Sequence, residues 1–417
     1  MGPTALFDKS FLQSLSADES VWFDHFFLPN VCPIFYVETL ADLAKEDCGS
    51  RTPDDTVRII ANKFPDCSGA PNVYHVTICT ANLLGEEIPL SPQVILPAGC
   101  QGTVDGRNVV VLPERPESKA WLRWTQGDFQ EVERIAAAEW RSATIGYESG
   151  KVIRYLEKYD AYQDKPCATL ADVSNMTDEV FQRLGPVPKL TLALSLLGVP
   201  PDQHDAIQER WVKEGVPELS QFAPYAAFAL RVEIFFHIAV YKARTGAASR
   251  MDSTYLFYLP FCQFFVSTDW VHRDSAPFFL RADQQFIWGA DLKAALKSLN
   301  DLYAALPEDE RNKSIYEIAS TPPTDIKNLV TDLWDRHWPT WRTPRERQTN
   351  DAEKGIEWLQ HQLKAMKAIA ESEGTKQSPD QIPDAICRPR TVRTKKGSWW
   401  QVPESLRKRK QSDDPNP

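Results

Sequence analysis

Four acidic residues stand beside apolar segments of the sequence, where their carboxylates could act together. Asp8 follows the run TALF, Glu38 ends PIFYVE, and Asp269 follows CQFFVST, while Asp252 stands shortly before that last run. The first and third runs are short, apolar and bounded by polar residues, which is typical of buried strands in a parallel sheet. Acids that end parallel strands can meet at the carboxyl edge of the sheet, so we expect these four to share one crevice.

A group of carboxylates in one crevice has a specific chemical use. Like charges that lie close together repel, and a divalent cation removes that cost. A set of ligands made only of oxygen atoms favours Mg²⁺ or Mn²⁺ over zinc. The sequence therefore predicts a Mg²⁺ or Mn²⁺ site. It shows neither a Gly-x-Gly-x-x-Gly dinucleotide motif nor a Gly-x-Ser-x-Gly nucleophile motif.

In the order of these acids the chain resembles the PIN-like metal-dependent nucleases. In that family the first strand ends in Asp, followed after one residue by a small hydroxyl residue, as Asp8 and Ser10 stand here in FDKS. A second acid follows about thirty residues later in a helix. Glu38 fits this position, and Asp42, one turn further along, is the alternative. We favour Glu38 because it lies closer to the apolar run.

The second half of the resemblance lies in MDSTYLFYLPFCQFFVSTD. The family has an Asp that opens a short helix, then a strand and a Thr-Asp pair, and Asp252, Thr268 and Asp269 match this order. More than two hundred residues separate Glu38 from Asp252, far more than a compact member of the family needs. A large insertion must therefore lie between them.

The resemblance implies an α/β fold with a PIN-like central parallel sheet flanked by helices, a large mainly helical insertion and a helical C-terminal extension. Residues 1–70 and 224–310 would form the two parts of the PIN-like core, with the insertion at 71–223 between them. Residues 311–371 would form the extension, and residues 372–417 a linker and basic tail.

The activity that this resemblance implies is that of an endonuclease, a hydrolase of phosphodiester bonds that uses metal-activated water. The implied substrate is nucleic acid, and single-stranded RNA more than DNA. Ser10 and Thr268 would orient the carboxylates, although both could simply cap turns. Asp8 taken alone could be a turn-forming aspartate, and Asp274 is a more exposed alternative to Asp269.

Two other functions are compatible with the sequence. The chain could be a catalytically inactive PIN-like or helical scaffold for protein interaction, which a missing ligand would mark, and Glu38 is the least secure ligand. It could also be a purely helical protein-binding platform without a metal site. In that case Asp8 and Asp269 would lie far apart.

The elements that would position these acids follow from local signals. Ser16 and Glu19 form the pattern of a capping box ahead of a helix. A helix apolar on nearly all sides is expected from Pro224 to about Arg244, and further helices at 170–184, 189–197 and 203–214. A strand at 285–288 and a helix at 290–305 follow Asp269. The segment NVVVLP predicts a small β element.

The net charge of −10 is distributed unevenly. Between Arg388 and Lys410, nine basic residues stand against the single acid Glu404, so this segment carries +8 and the remainder −18. It also contains an aromatic pair that could stack on bases. The alternatives are a solvated tail or an arm that docks on the acidic surface of the protein. The candidate nucleic-acid contacts are Arg273, Arg388, Arg390, Arg393, Lys395, Lys396, Trp399 and Trp400.

The composition favours a globular protein of the cytoplasm. Apolar residues make up 42% of the 417 residues, and thirteen are tryptophans, enough for a packed interior. No run of eighteen apolar residues occurs, so no membrane association is expected, and the N-terminus lacks the pattern of a signal peptide. The eight cysteines are scattered without metal-site spacing and are expected to be free thiols.

Overall fold

The centre of the computed structural model is a sheet of five short strands. The structure describes residues 2–45, 51–66, 70–96, 99–104, 107–112, 115–143, 149–244, 249–343, 385–387 and 392–407. The strands of the sheet are β1 (Thr4–Phe7), β2 (Leu28–Val31), β3 (Ala70–Pro71), β6 (Phe264–Ser267) and β7 (Gln285–Trp288), and their spatial order is β3-β2-β1-β6-β7. Every neighbouring pair is parallel, which confirms the expected parallel sheet.

The order of the strands reverses direction at β1. From β1 the chain moves outward through β2 and β3, and it then returns to place β6 on the other side of β1, with β7 beyond. The crevice at the carboxyl ends of β1 and β6 is therefore the topological switch point of the sheet, where open α/β folds bind their ligands. Phe7 is opposite Val266 in this pairing, so the residues that follow the two strands start from the same edge.

Both faces of the central strands are buried, because side chains alternate along a strand. Ala5, Phe7, Phe264 and Val266 join one hydrophobic core, whereas Leu6 joins the other. This double burial accounts for the continuous apolar runs that precede Asp8 and Asp269.

Helices cover both faces of the sheet. The core on the Phe7 face receives buried side chains from helices α1 (Lys9–Ser14), α2 (Ala17–Phe26), α4 (Pro53–Lys63), α6 (Pro116–Trp124), α7 (Glu131–Ala143), α16 (Gly289–Ala304), α18 (Ile315–Ile318) and α19 (Leu329–His337). The short helices α17 (Glu308–Arg311) and α20 (Glu404–Arg407) have no buried residue. Helix α3 (Pro33–Leu40) contributes to both cores.

The core on the Leu6 face is organised around the long apolar helix α13 (Pro224–Tyr241). Around it lie α5 (His75–Leu84), α8 (Ser149–Lys158), α9 (Leu170–Arg183), α10 (Pro186–Leu196), α11 (His204–Lys213), α12 (Leu219–Phe222), α14 (Ser249–Leu256) and α15 (Trp270–Ser275). Segment 71–223 is thus mainly helical, but it does not form one separate body. Its α6 and α7 pack with α3 and α4 on the opposite core.

Smaller β elements lie outside the central sheet. Strands β4 (Cys100–Val104) and β5 (Arg107–Val111) pair antiparallel, and β8 (Ala385–Cys387) pairs parallel with β5. The small β element expected at NVVVLP is β5. Near the C-terminus β9 (Lys395–Lys396) and β10 (Trp399–Trp400) form a hairpin.

Most elements predicted from local signals are confirmed. The capping box of Ser16 and Glu19 is present at the start of α2, and α9, α10, α11, α13, β7 and α16 lie within a few residues of their expected bounds. Within the described ranges, no helix combines the length and the apolar character that crossing a membrane requires. Cys32, Cys79, Cys167 and Cys262 are buried free thiols.

Candidate functional site

Asp8 lies at the switch point, immediately after β1, and is the N-cap of α1. Its Oδ1 accepts a hydrogen bond from the backbone N–H of Phe11 at 2.9 Å, and its Oδ2 accepts from the hydroxyls of Ser10 at 2.6 Å and Ser267 at 2.7 Å. The side chain is buried. The carboxylate is therefore held in one orientation by donors from both β6 and α1.

A buried histidine, His272 of α15, lies against Asp8. Its Nδ1 is 3.3 Å from Asp8 Oδ2 and 2.9 Å from Ser267 Oγ, and its Nε2 is 3.0 Å from the backbone oxygen of Asp252. A carbonyl and a carboxylate only accept hydrogen bonds, so this setting favours the imidazolium with a proton on both nitrogens.

The titration of the pair agrees with this geometry. Burial alone would lower the pKa of His272, but its hydrogen bond to Asp8 and the charge of Asp8 outweigh burial and raise the pKa to about 9. Burial alone would raise the pKa of Asp8, but His272, Ser10 and Phe11 bring it below the ordinary value of 3.8. Asp8 and His272 thus form a buried ion pair at neutral pH.

Ser10 and Thr268 connect the two strand ends. Thr268 donates to Ser10 Oγ from its hydroxyl at 2.7 Å and from its backbone N–H at 3.2 Å. The N-terminus of α16 approaches Thr268 closely, since a Cβ on Gly289 would lie 2.6 Å from Thr268 Cγ2. The two hydroxyl residues therefore join α1 to the end of β6, and Ser10 also orients Asp8.

Asp269 follows β6 as the N-cap of α15. Its Oδ1 accepts from the backbone N–H of Val271 at 2.7 Å, and its own N–H donates to Ser267 Oγ at 2.9 Å. Ser267 thus contacts Asp8, Asp269 and His272 at once. Asp269 can cap α15 and also belong to the site, because the cap uses only one of its two carboxylate oxygens.

Asp252, on α14, experiences the charge of the other three acids. Burial raises its pKa most, Asp269, Glu38 and Asp8 raise it further, and His272 opposes them, with a net pKa of about 7. Asp252 therefore lies close enough to His272 and to the three acids for their charges to act on it. We call Asp8, Glu38, Asp252 and Asp269 the acid cluster, because the charges of the other three act on Asp252.

Glu38 and Asp42, the two alternatives for the second acid, both contact the buried Lys9. Lys9 Nζ is 3.4 Å from Glu38 Oε1 and 3.0 Å from Asp42 Oδ1. Asp42 also pairs with Lys45 at 2.6 Å and is 1% exposed. The second oxygen of Glu38 accepts from the hydroxyl of Tyr255 at 2.6 Å. Because Tyr255 shares α14 with Asp252, Glu38 is directed toward the cluster and Asp42 is committed to the two lysines.

Lys9 carries its charge in this buried position. Burial would lower the pKa of Lys9, but Glu38 and Asp42 outweigh it and raise the pKa above the ordinary value of 10.5. The cation offsets part of the negative charge next to the cluster and fixes the position of Glu38.

Arg273 and Asp274 lie on the exposed side of α15. Both side chains are exposed, and they form an ion pair at 2.8 Å. The guanidinium of Arg273 also lies over the ring of Trp270, with its Cζ 3.7 Å from the ring centroid. Arg273 is thus available to solvent beside the site, and Asp274 has a surface partner of its own.

The hairpin near the C-terminus docks on the body of the protein. Trp399 is 2% exposed and donates from its indole N–H to Asn300 Oδ1 at 2.9 Å. Lys396 is buried, donates to the backbone oxygen of Phe64 at 2.6 Å and lies 3.6 Å from Asp66. These contacts correct the expectation that Trp399 and Lys396 face nucleic acid, because neither side chain is free to stack on a base or to contact a phosphate.

The other predicted tail contacts also have protein partners. Arg393 donates to the backbone oxygens of Ala61 and Asn62 and lies 3.5 Å from Asp66. Lys395 and Arg407 lie over the ring of Trp400, at 5.0 Å and 4.2 Å. The alternative interpretation, an arm docked on acidic protein surface, fits the residues around Asp66. Arg388 and Arg390 lie outside the described residues.

Four residues of the site were missed by sequence reasoning: Lys9, Tyr255, Ser267 and His272. Lys9 and Ser267 stand next to predicted residues in FDKS and VSTD. A charged residue directly after a buried strand and a second hydroxyl at the end of β6 were signals that could have identified them. The contact of Tyr255 with Glu38 depends on the packing of α14 against α3, and that of His272 with Asp8 depends on the approach of α15 to the end of β1, which no local pattern encodes.

The donor set fits a hard divalent cation such as Mg²⁺ or Mn²⁺, because it consists of carboxylate and hydroxyl oxygens. Burial is the main cause of the raised pKa of Asp252, and the charges of Asp269, Glu38 and Asp8 raise it further. In the described part of the chain, no three His, Cys, Asp or Glu residues are grouped in positions that could hold a metal ion.

The chain was compared with protein-family models, curated proteins and solved structures, and none of these comparisons found a match. The case for a function therefore rests on the geometry of this site.

Proposed function

We propose that this protein is a divalent-metal-dependent nuclease that hydrolyses phosphodiester bonds of nucleic acid. The observation that supports it is the acid cluster at the switch point of the parallel sheet, where burial and the charges of Asp269, Glu38 and Asp8 raise the pKa of Asp252 to about 7. A cluster of this kind is costly to maintain unless a cation binds to it. Its place at the carboxyl edge of β1 and β6 is where an α/β sheet exposes functional groups.

Each residue has a defined role in this proposal. Asp8, Glu38, Asp252 and Asp269 would hold Mg²⁺ or Mn²⁺. The bound cation would lower the pKa of a water molecule for attack on phosphorus and neutralise charge on the leaving oxygen. Ser10 and Ser267 hold the Asp8 carboxylate in place, and Lys9 and Tyr255 position Glu38.

The protonation states support cation binding near neutral pH. His272 as an imidazolium keeps Asp8 ionised. Asp252 has a pKa of about 7 without a cation, so binding would displace a proton from it at neutral pH. We therefore expect cation affinity to rise with pH between about 6 and 8.

The substrate proposed is single-stranded RNA in preference to DNA, as the resemblance to the PIN-like nucleases implies. That family assignment is part of the proposal, and the parallel sheet flanked by helices is compatible with it. A bound cation would weaken the repulsion between the phosphodiester backbone and the acid cluster, because both are negatively charged.

Metal binding can be tested separately from catalysis. Millimolar Mn²⁺ or Mg²⁺ should raise the melting temperature of the wild-type protein at pH 8, since a ligand at a hundred times its dissociation constant stabilises a fold by about 2.7 kcal/mol. Asp8→Asn and Asp269→Asn should lose this increase, and Asp274→Asn, an exposed acid with a surface partner, should keep it. A melting temperature that neither cation changes in the wild-type protein would refute the metal site.

Catalysis is tested by single-turnover cleavage of labelled single-stranded RNA and DNA. We expect cleavage by the wild type and by Asp274→Asn in the presence of Mn²⁺, and none by Asp8→Asn or Asp269→Asn. Full activity in both site variants would show that other residues catalyse the reaction.

A second candidate function is supported by the ion pairs of the site. His272 and Lys9 already neutralise part of the charge on Asp8 and Glu38, as in a site that no longer needs a metal. The protein would then be a catalytically inactive scaffold for protein interaction. Absence of both the thermal shift and the cleavage would favour it.

A further inference from the structure

An exposed aromatic platform lies directly beside the acid cluster. Trp270 follows Asp269 in the chain and is 59% exposed, the most exposed tryptophan among the described residues. Trp288 is the last residue of β7, and its ring centroid lies 4.9 Å from that of Trp270. Both rings thus stand at the carboxyl edge of the sheet, beyond neighbouring strands.

The third member of this Trp270–Trp288–Arg273 platform supplies a positive charge. Arg273 Cζ lies 3.7 Å from the centroid of the Trp270 ring and 5.9 Å from that of Trp288. Both side chains of its ion pair with Asp274 are exposed to solvent. An exposed ion pair contributes little, so the guanidinium can exchange Asp274 for a phosphate at small cost.

Tryptophan is seldom left this exposed, because its large apolar surface is better buried. Trp270 adds nothing to the hydrophobic cores, whereas the adjacent Val271 packs against one of them. An indole with an exposed ring beside a guanidinium is the combination that stacks on a nucleobase while the cation binds its phosphate.

We propose that this platform binds an unpaired nucleobase of the substrate next to the scissile phosphate, and that the substrate strand is single-stranded at this point. The inference rests on the proposed nuclease function and extends it. A base inside a duplex has both faces covered by its neighbours, so an indole can stack only on a base that has left the helix. The positive charge of Arg273 argues for a polyanion as the occupant.

Binding is measured without divalent cation, in the presence of a chelator, so that cleavage cannot occur. Trp270→Ala should weaken the affinity for oligouridine and oligoadenosine by about 5- to 150-fold, the range that a stacked base contributes. Trp270→Phe should recover part of the loss. The matched control is Trp338→Ala, the other exposed tryptophan in the described part of the chain, at 37%, and it should bind as the wild type does.

Two further probes identify what the platform contacts. An abasic strand keeps the phosphates and lacks bases, so wild type and Trp270→Ala should bind it equally. The wild type and Trp270→Ala should also bind a hairpin duplex with equal affinity. Equal affinity of wild type and Trp270→Ala for the single strands would overturn the proposal, as would an undiminished effect on the abasic strand.

The outcome is independent of catalysis. If Trp270→Ala weakens strand binding while Mn²⁺ supports no cleavage by the wild type, the platform stands and the nuclease function fails. If the wild type cleaves and Trp270→Ala binds as the wild type does, the nuclease function stands and the platform proposal fails. Dissociation of a wild-type dimer by Trp270→Ala in light scattering, with strand affinity unchanged, would assign the platform to a second copy of the chain and refute the proposal.

Discussion

Removal of the charge of Asp252 should stabilise the protein when no metal is present. Asp252 has a pKa of about 7 in the folded chain and an ordinary value of 3.8, so between these values the folded state binds more protons than the unfolded state. Stability then falls as pH rises, because unfolding releases a proton. Asp252→Asn cannot ionise, so it should escape this loss while keeping the backbone oxygen that faces His272.

The size of the effect follows from the two pKa values. Their difference corresponds to about 4 kcal/mol, since a change of one pKa unit is worth about 1.4 kcal/mol. Asp252 is partly buried, and solvent around its exposed part screens some of this interaction. We therefore expect Asp252→Asn to raise the free energy of unfolding by about 2 kcal/mol at pH 8. The gain should be near zero below pH 4, where the acid is protonated in both states.

The assay is urea denaturation at intervals from pH 4 to pH 9 in the presence of a chelator. Asp274→Asn is the control, since an exposed acid should change stability by no more than about 0.5 kcal/mol at any pH. The wild type and Asp252→Asn should both still lose stability as pH rises from about 6.5 toward 9, because His272 loses its proton there. A variant that is less stable than wild type at pH 8 would refute the argument that burial and the neighbouring acids make the ionised Asp252 destabilising.

Two further predictions concern Lys9 beside the site and Trp399 in the C-terminal hairpin. Lys9→Met should lower the free energy of unfolding by about 3–5 kcal/mol in urea denaturation, since it leaves buried carboxylates without their partner. The control Lys45→Met should lower it by at most about 1 kcal/mol, because Lys45 is half exposed. Equal losses in the two variants would contradict the role of Lys9 as a buried partner of the carboxylates. Trp399→Ala should lower the free energy of unfolding by about 3–5 kcal/mol, because it leaves a cavity, and it should leave the affinity for single-stranded RNA unchanged. A loss of affinity without a loss of stability would show that Trp399 contacts nucleic acid.

Local rules located the main elements of the fold and the four acids. Strands β1 and β6 were predicted because short apolar runs bounded by polar residues are buried on both faces of the sheet. The start of α2 followed from the side-chain pattern of a capping box, and the extent of α13 from proline at its beginning and an apolar surface on nearly all sides. In each case the signal and the structure lie within the same few residues.

Long-range contacts explain where the sequence interpretation was incomplete. Strand β2 has the sequence LPNV, and proline and asparagine are poor strand formers, yet β2 pairs with β1 through residues 28–30. Trp399 and Lys396 lie in a basic segment that resembles a solvated arm. Their burial depends on Asn300, Phe64 and Asp66, hundreds of residues away in the case of the last two.

The separation of Glu38 from Asp252 in the chain does not prevent their meeting in the fold. The entropic cost of closing a loop grows slowly, by about 0.6 kcal/mol for each doubling of its length. Most of the intervening helices pack around α13, and α13 packs against α14, which carries Asp252 and Tyr255. The hydrogen bond from Tyr255 to Glu38 then closes the site across more than two hundred residues. The helical segment therefore helps to position the acid cluster, and substitutions in the core around α13 should weaken the site as well as the fold.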